Sequence, residues 1–269
     1  MPFVDVRDLR MYYEKRGTGP RLLLINGTGG DLRKSPNILD LPFTKRFETV
    51  CYDQRGMGQT SVPEGPYTMA DYADDAAALL DHLDWDSCLV LGYSFGGMVA
   101  QELALRHPER VQRLVLACTS SGGAGGASYP LHELAELSPE EHAVRILEIS
   151  DIRLNADWRE RNPDKLRALI DQRLAEQHRF AHEPGRAEGM RRQLEARAGH
   201  DTYDRLPQLD IPVFVCGGRY DGLAPPERLE ALAARLSNAS LEFFEGGHLF
   251  TQQDPRAVER MEVFLNGAS

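Results

Sequence analysis

The hydrophobic positions of this chain change period several times, and each change marks an element. FVDV (3–6) and LRMYYE (9–14), separated by Arg7-Asp8, read as an opening antiparallel hairpin. RLLLIN (21–26) and ETVCYD (48–53) are short continuous apolar runs bounded by turn residues, as expected of strands buried on both faces. MADYADDAAALLDHL (69–83) is apolar at helical spacing, with an acidic first turn that suits the positive end of a helix. A strand CLVLG (88–92), a helix from about Phe95 to His107 stopped by Pro108, and a strand VQRLVLACT (111–119) follow. This alternation predicts a largely parallel sheet with helices on both faces.

The rhythm breaks at Ser120. SSGGAGGAS (120–128) is a glycine- and serine-rich connection. Residues 129–205 then carry no convincing strand; they are charged, Arg-rich and helical in pattern, as in PEEHAVRILEIS, PDKLRALIDQRLAEQ and EGMRRQLEARA. Strand and helix alternation resumes with IPVFVCGG (211–218), a helix near PERLEALAARL (226–236), SLEFFEG (240–246) and a last helix near DPRAVERMEVFLNG. The expected fold class is α/β, with a helical cap inserted after the sixth strand. The core spans 1–121 and 206–269, and the cap or lid spans 122–205. A long insertion at the carboxyl ends of parallel strands is expected to cover a site.

A length of 269 residues suits one α/β domain carrying an insertion. The net charge of −10 argues against a nucleic-acid or anionic-membrane partner, because phosphate binding needs a basic face. The start MPFVDVRDLRMYYEKRG lacks the apolar core of a signal peptide or anchor, and no apolar stretch reaches the length of a membrane span. Cys51, Cys88, Cys118 and Cys216 are widely separated, which fits buried reduced thiols in a cytoplasmic protein better than a disulfide framework or metal site. Self-association is compatible with this composition.

Candidate chemistry starts at Gly92-Tyr93-Ser94-Phe95-Gly96, a G-x-S-x-G between a strand and a helix. That context asks for a tight turn holding Ser94 in sparsely populated backbone space, with glycines where a Cβ would collide. A serine hydroxyl needs a base, itself oriented by a third group. FFEGGHLF supplies His248 in a loop after the last strand, whereas the other seven histidines fall in helices or the insertion. VFVCGGRYDGLAPP places Asp221 in the turn after a buried strand. Asp201 and Asp204 compete for the acid role from the link between cap and core. A tetrahedral oxyanion needs donors. The backbone N–H of Phe95 is one candidate, and Thr28 in NGTGGDL is the other. Gly27, Gly29 and Gly30 do not complete a phosphate-binding pattern.

GYSFGG, the turn DQRGMGQTS (53–61), GGRYDGLAPP and EGGH together resemble the α/β-hydrolase superfamily of capped serine hydrolases, across almost the whole chain. The resemblance implies Ser94 as nucleophile, Asp221 as acid, His248 as base, and Thr28 and Phe95 as oxyanion donors. Asp53 and Arg55 match a turn used structurally beside the site. Asn26-Gly27 stands where many members have His-Gly. That substitution, GTGGD and HDTYDRLP are similar to the enol-lactone hydrolase branch. The implied reaction is hydrolysis of an ester, lactone or related small acyl substrate, with no metal or organic cofactor. Perhydrolysis, hydroxynitrile lysis and carbon–carbon bond hydrolysis share the fold, as do low-turnover ligand receptors. Tyr129, Trp158, Phe180 and Met190 are candidate pocket lining, and Arg33 a candidate for meeting a substrate carboxylate.

Overall fold

The computed structural model describes residues 2–35 and 37–267. Eight strands build one sheet: β1 (Phe3–Val6), β2 (Leu9–Arg16), β3 (Arg21–Ile25), β4 (Glu48–Tyr52), β5 (Cys88–Tyr93), β6 (Val111–Ala117), β7 (Val213–Gly218) and β8 (Ala239–Phe244). Their spatial order is β1-β2-β4-β3-β5-β6-β7-β8. β1–β2 and β2–β4 are antiparallel, and every pairing beyond β4 is parallel. The opening hairpin is therefore the antiparallel edge. Val4, Val6, Leu9 and Met11 point inward there while Asp5 and Arg10 point out.

The helices among the described residues are α1 (Met69–His82), α2 (Phe95–Arg106), α3 (Pro139–Ser150), α4 (Ala156–Arg161), α5 (Pro163–His178), α6 (Arg186–Ala198), α7 (Pro226–Ala233), α8 (Phe250–Gln253) and α9 (Pro255–Leu265). The continuous apolar runs are explained by two hydrophobic layers. Leu23, Ile25, Val50, Val90 and Leu114 face α1, α2 and α7, whereas Leu22, Leu24, Cys51, Leu91 and Val115 face α9. α1 starts at a reciprocal cap in which Thr68 Oγ1 accepts from Asp71 N and the Asp71 carboxylate accepts from Thr68 N. Such a cap stabilises a helix by about 1 kcal/mol. The short helices α4 and α8 escape the periodicity reading because six and four residues cannot display an apolar stripe.

α3 to α6 all lie between β6 and β7 in the chain. The two ends of that segment meet, since Gly122 and Asp201 form an isolated antiparallel bridge and Thr202 N donates to Ser121 O at 2.8 Å. Leu134, Ile146 and Ile149 form a small separate core closed by Leu223 of the loop after β7. Among the described residues no helix is long and apolar enough to cross a membrane.

Candidate active site

Ser94 occupies the turn between β5 and α2 with φ 56° and ψ −118°, a conformation that L-residues rarely adopt. The flanking glycines explain how it persists. A Cβ on Gly92 would lie 2.7 Å from the Cα of Gly97, and one on Gly96 would lie 2.6 Å from the carbonyl oxygen of Asn26 at the end of β3. Gly97 performs a different task, because its Cβ would meet Thr119 Cβ at 2.7 Å just beyond β6. The strained turn is thus wedged between β3 and β6, and Ser94 N donates to Ala117 O at 2.8 Å. Ser94 makes no side-chain cap to its own helix, which leaves the hydroxyl free for another partner.

That partner is His248. Ser94 Oγ and His248 Nε2 are 3.0 Å apart, and His248 Nδ1 lies 2.8 Å from Asp221 Oδ2. The geometry assigns the Nδ1–H tautomer, with Nδ1–H donating to the carboxylate and the hydroxyl donating to Nε2. Asp221 is fixed from behind, since its Oδ1 accepts from Leu223 N at 2.8 Å and Ala224 N at 2.9 Å. Burial by itself lowers the His248 pKa, but the Asp221 charge outweighs it, with a smaller contribution from Cys118, and the net shift is upward.

The two glycines before His248 have separate causes. Gly246 has φ 134°, and a Cβ on Gly247 would meet Asp151 Cβ at 2.7 Å. The second absence lets the end of α3 sit on the loop, where His248 N donates to Ser150 O at 2.6 Å. Gly222 N likewise donates to Ile149 O at 2.9 Å. Orphan carbonyls of α3 are satisfied by the loops that carry Asp221 and His248.

The loop after β3 lies against the serine, as a Cβ on Gly27 would be 3.4 Å from Ser94 Cβ. Gly27 N is taken by Asn26 Oδ1, Gly29 N by Gln193 Oε1 and Gly30 N by Gly27 O. Among the described residues neither Thr28 N nor Phe95 N has an acceptor. Asn26 therefore shapes its own loop, and Gln54 Nε2 donates to its carbonyl at 2.7 Å.

Several expected residues stand elsewhere. Asp204 is exposed, with 91% of its side chain in solvent, and Asp201 pairs with Gly122 in the bridge, so neither approaches His248 as Asp221 does. Arg33 is engaged by Asp31 and Glu183, so the chain's own carboxylates occupy the guanidinium expected to meet a substrate carboxylate, and it covers the Phe180 ring at 3.7 Å. Tyr129 packs into the small core beneath α3, and Trp158 is half-buried on α4. Met190 does reach the site, for its Cε lies 2.8 Å from where a Gly29 Cβ would stand. Asp53 accepts from Leu32 N and Gln59 N, and burial raises its pKa to about 6. Arg55 pairs with Asp75 and Asp8.

Three neighbours were not legible beforehand. Tyr93 donates its hydroxyl to His248 O at 2.5 Å and sets its ring edge-on to the imidazole. Gln193 comes from α6, far away in sequence. Cys118, with φ 42°, brings its sulfur, a ring nitrogen of His248 and a carboxylate oxygen of Asp221 within 4.8 Å of one another, and burial pushes its thiol pKa up. The pattern after Cys118 offered no sign that the strand would break there toward the imidazole.

A serine at a strained strand-to-helix turn beneath a mostly parallel sheet with an ordered Asp–His pair defines the α/β-hydrolase class of architecture. The comparisons agree. The family model for the alpha/beta hydrolase fold matches residues 20–255. The poly(3-hydroxyalkanoate) depolymerase of Ectopseudomonas oleovorans is 31% identical, over 88% of this chain and 81% of its own. The 3-oxoadipate enol-lactonase 2 of Acinetobacter baylyi is 28% identical, over 94% and 92%. The crystal structure of the enol-lactonase from Burkholderia xenovorans superposes with a TM-score of 0.77 at 26% identity, covering 99% of this chain and 100% of that one. The chain belongs to the α/β-hydrolase family and is a hydrolase, similar in sequence to the depolymerase and enol-lactonase above and in structure to an enol-lactonase.

Proposed function

We propose that the protein hydrolyses a carboxylic ester, lactone or related small acyl substrate through an acyl-enzyme on Ser94. The observation that carries this reading is the unbroken relay from Asp221 Oδ2 through His248 to Ser94 Oγ, with steps of 2.8 and 3.0 Å. Ser94 Oγ attacks the carbonyl carbon while its proton passes to His248 Nε2. Asp221 holds the ring and stabilises the imidazolium. The N–H groups of Thr28 and Phe95, free of protein acceptors, receive the oxyanion. The imidazolium then protonates the leaving oxygen, and a water activated by His248 releases the acid and regenerates the serine.

Residues 1–121 and 206–269 act as the core in this reading, and 122–205 as a lid. The lid assignment is supported by Met190 against Gly29, by Gln193 accepting from Gly29 N and by Arg186 beside Asp31. The partner is a small molecule. A fluorophosphonate probe is expected to add one adduct, located on the peptide containing Ser94. A panel of simple esters, lactones and an enol-lactone is then expected to show multiple turnovers, where a ligand receptor would show almost none. An unlabelled serine together with no turnover on the panel would overturn the proposal.

A further inference from the structure

The loop that carries Thr28 is a β-turn from Gly27 to Gly30, closed by Gly30 N donating to Gly27 O at 3.2 Å. Gly29 has φ 68° and Thr28 keeps a negative φ, the combination found in a type II turn. The turn starts against the serine, since a Cβ on Gly27 would lie 4.0 Å from Ser94 Oγ. Its amides are taken one by one. Gly27 N donates to Asn26 Oδ1, Gly30 N closes the turn, and Gly29 N donates to Gln193 Oε1 at 2.8 Å. Within the turn Thr28 N alone has no acceptor among the described residues.

Gly29 N–H belongs to the central peptide of the turn, the unit whose rotation separates a type II turn from a type I turn. Its acceptor, Gln193, lies 164 residues away in the chain, on α6 of the insertion. Without that acceptor the central peptide is free to rotate, and the turn that presents Thr28 N loosens.

Gln193 is itself fixed against the core. α6 buries Gly189, Gln193, Ala196 and Arg197 along one face. One helical turn before Gln193, a Cβ on Gly189 would stand 2.9 Å from the carbonyl carbon of Gly56, so the helix backbone rests directly on the turn after β4. Gln193 is 0% exposed, and its Nε2 has no acceptor within hydrogen-bond distance among the described residues. For stability alone an apolar side chain of that size would serve better. The hydrogen bond that accounts for an amide here is the one from Gly29 N.

We propose that Gln193 is a positioning residue for the oxyanion hole. By accepting from Gly29 N it holds the turn that aims Thr28 N, so the hole is complete only when α6 is docked. The proposal rests on the serine-hydrolase reading given above and makes turnover depend on the insertion through one hydrogen bond.

The test is steady-state hydrolysis of p-nitrophenyl butyrate together with inhibition by butylboronic acid. That acid bonds to Ser94 Oγ as the hydroxyl proton passes to His248, giving a tetrahedral anionic boronate that resembles the transition state. Gln193→Met keeps the length of the side chain and removes the acceptor. It should lower kcat about 10- to 100-fold with KM nearly unchanged, and raise the boronic acid Ki by a similar factor. Thr28→Pro removes the N–H itself while favouring a type II turn, and should lower kcat about 10²- to 10³-fold. Adding Gln193→Met to Thr28→Pro should then change kcat by less than about threefold, because the donor it positions is already gone. Additive losses, or a lowered Tm with kcat and Ki within about threefold of wild type, would assign Gln193 a merely structural role and overturn the proposal. If Gln193→Met does not fold, Gln193→Asn, which keeps the amide and withdraws it by one methylene, carries the decision through the same kcat and Ki readouts. A wild-type protein with neither turnover nor boronic acid inhibition removes the serine-hydrolase reading, and this proposal with it.

Discussion

Gly96→Ala would test the elbow most sharply. The added Cβ would stand 2.5 Å from the carbonyl carbon of Ile25 and 2.6 Å from the carbonyl oxygen of Asn26, both backbone atoms at the end of β3. Carbon atoms pack best at about 3.5 Å or more, so relief requires α2 and β3 to part by roughly 1 Å. No side-chain rotation can supply this. The two proposed oxyanion donors ride on the parts that separate, Phe95 N on α2 and Thr28 N on the loop after β3. A displacement of that size lowers turnover about 100-fold, equivalent to about 2.7 kcal/mol of barrier. Forced overpacking costs a further ~1–3 kcal/mol of stability, a fall in Tm of roughly 2 to 12 °C. The assay is steady-state hydrolysis of p-nitrophenyl butyrate beside thermal unfolding. Gly199→Ala serves as control, because its Cβ would meet nothing closer than 3.7 Å. Turnover within about threefold of wild type at unchanged Tm would refute both the steric argument and the placement of the donors.

Four further outcomes are expected. Ser94→Ala should reduce ester turnover by at least about 10³-fold with little change in Tm, and retention of turnover would remove Ser94 as nucleophile. Asp221→Asn should lower kcat about 10⁴-fold. It should also move the ascending limb of the pH–rate profile downward, because the carboxylate is what raises the His248 pKa and catalysis needs the neutral ring. The stabilisation from the His248–Asp221 pair is fully present below about pH 6.5, the unfolded value, and is lost as pH rises through the higher folded value. Urea unfolding across that range checks this sign. Asp75→Ala leaves the buried Arg55 with exposed Asp8 alone, and should destabilise by ~3–5 kcal/mol while kcat at low temperature stays within a few-fold. A change in stability below 1 kcal/mol would show that Asp8 suffices.

What the sequence determined by itself is what short-range patterning controls. Continuous apolar runs mark strands covered on both faces, and the G-x-S-x-G lies where a strand gives way to a helix. Ser94, Asp221 and His248 each fall just past a strand, so their order could be read without coordinates. Only the tertiary structure decided what holds Asp221 against His248, because the N–H groups of Leu223 and Ala224 reach its carboxylate only when the loop after β7 folds back on itself. It also decided the purpose of each glycine, since a forbidden Cβ depends on what packs opposite. Arg33 and Arg197 make the same point for charge. One is matched by carboxylates from the loop and the insertion, while the other is buried without any. Helical periodicity assigns a residue to a face, but a buried side chain's partner comes from elements more than a hundred residues away, as Gln193 and Gly29 illustrate.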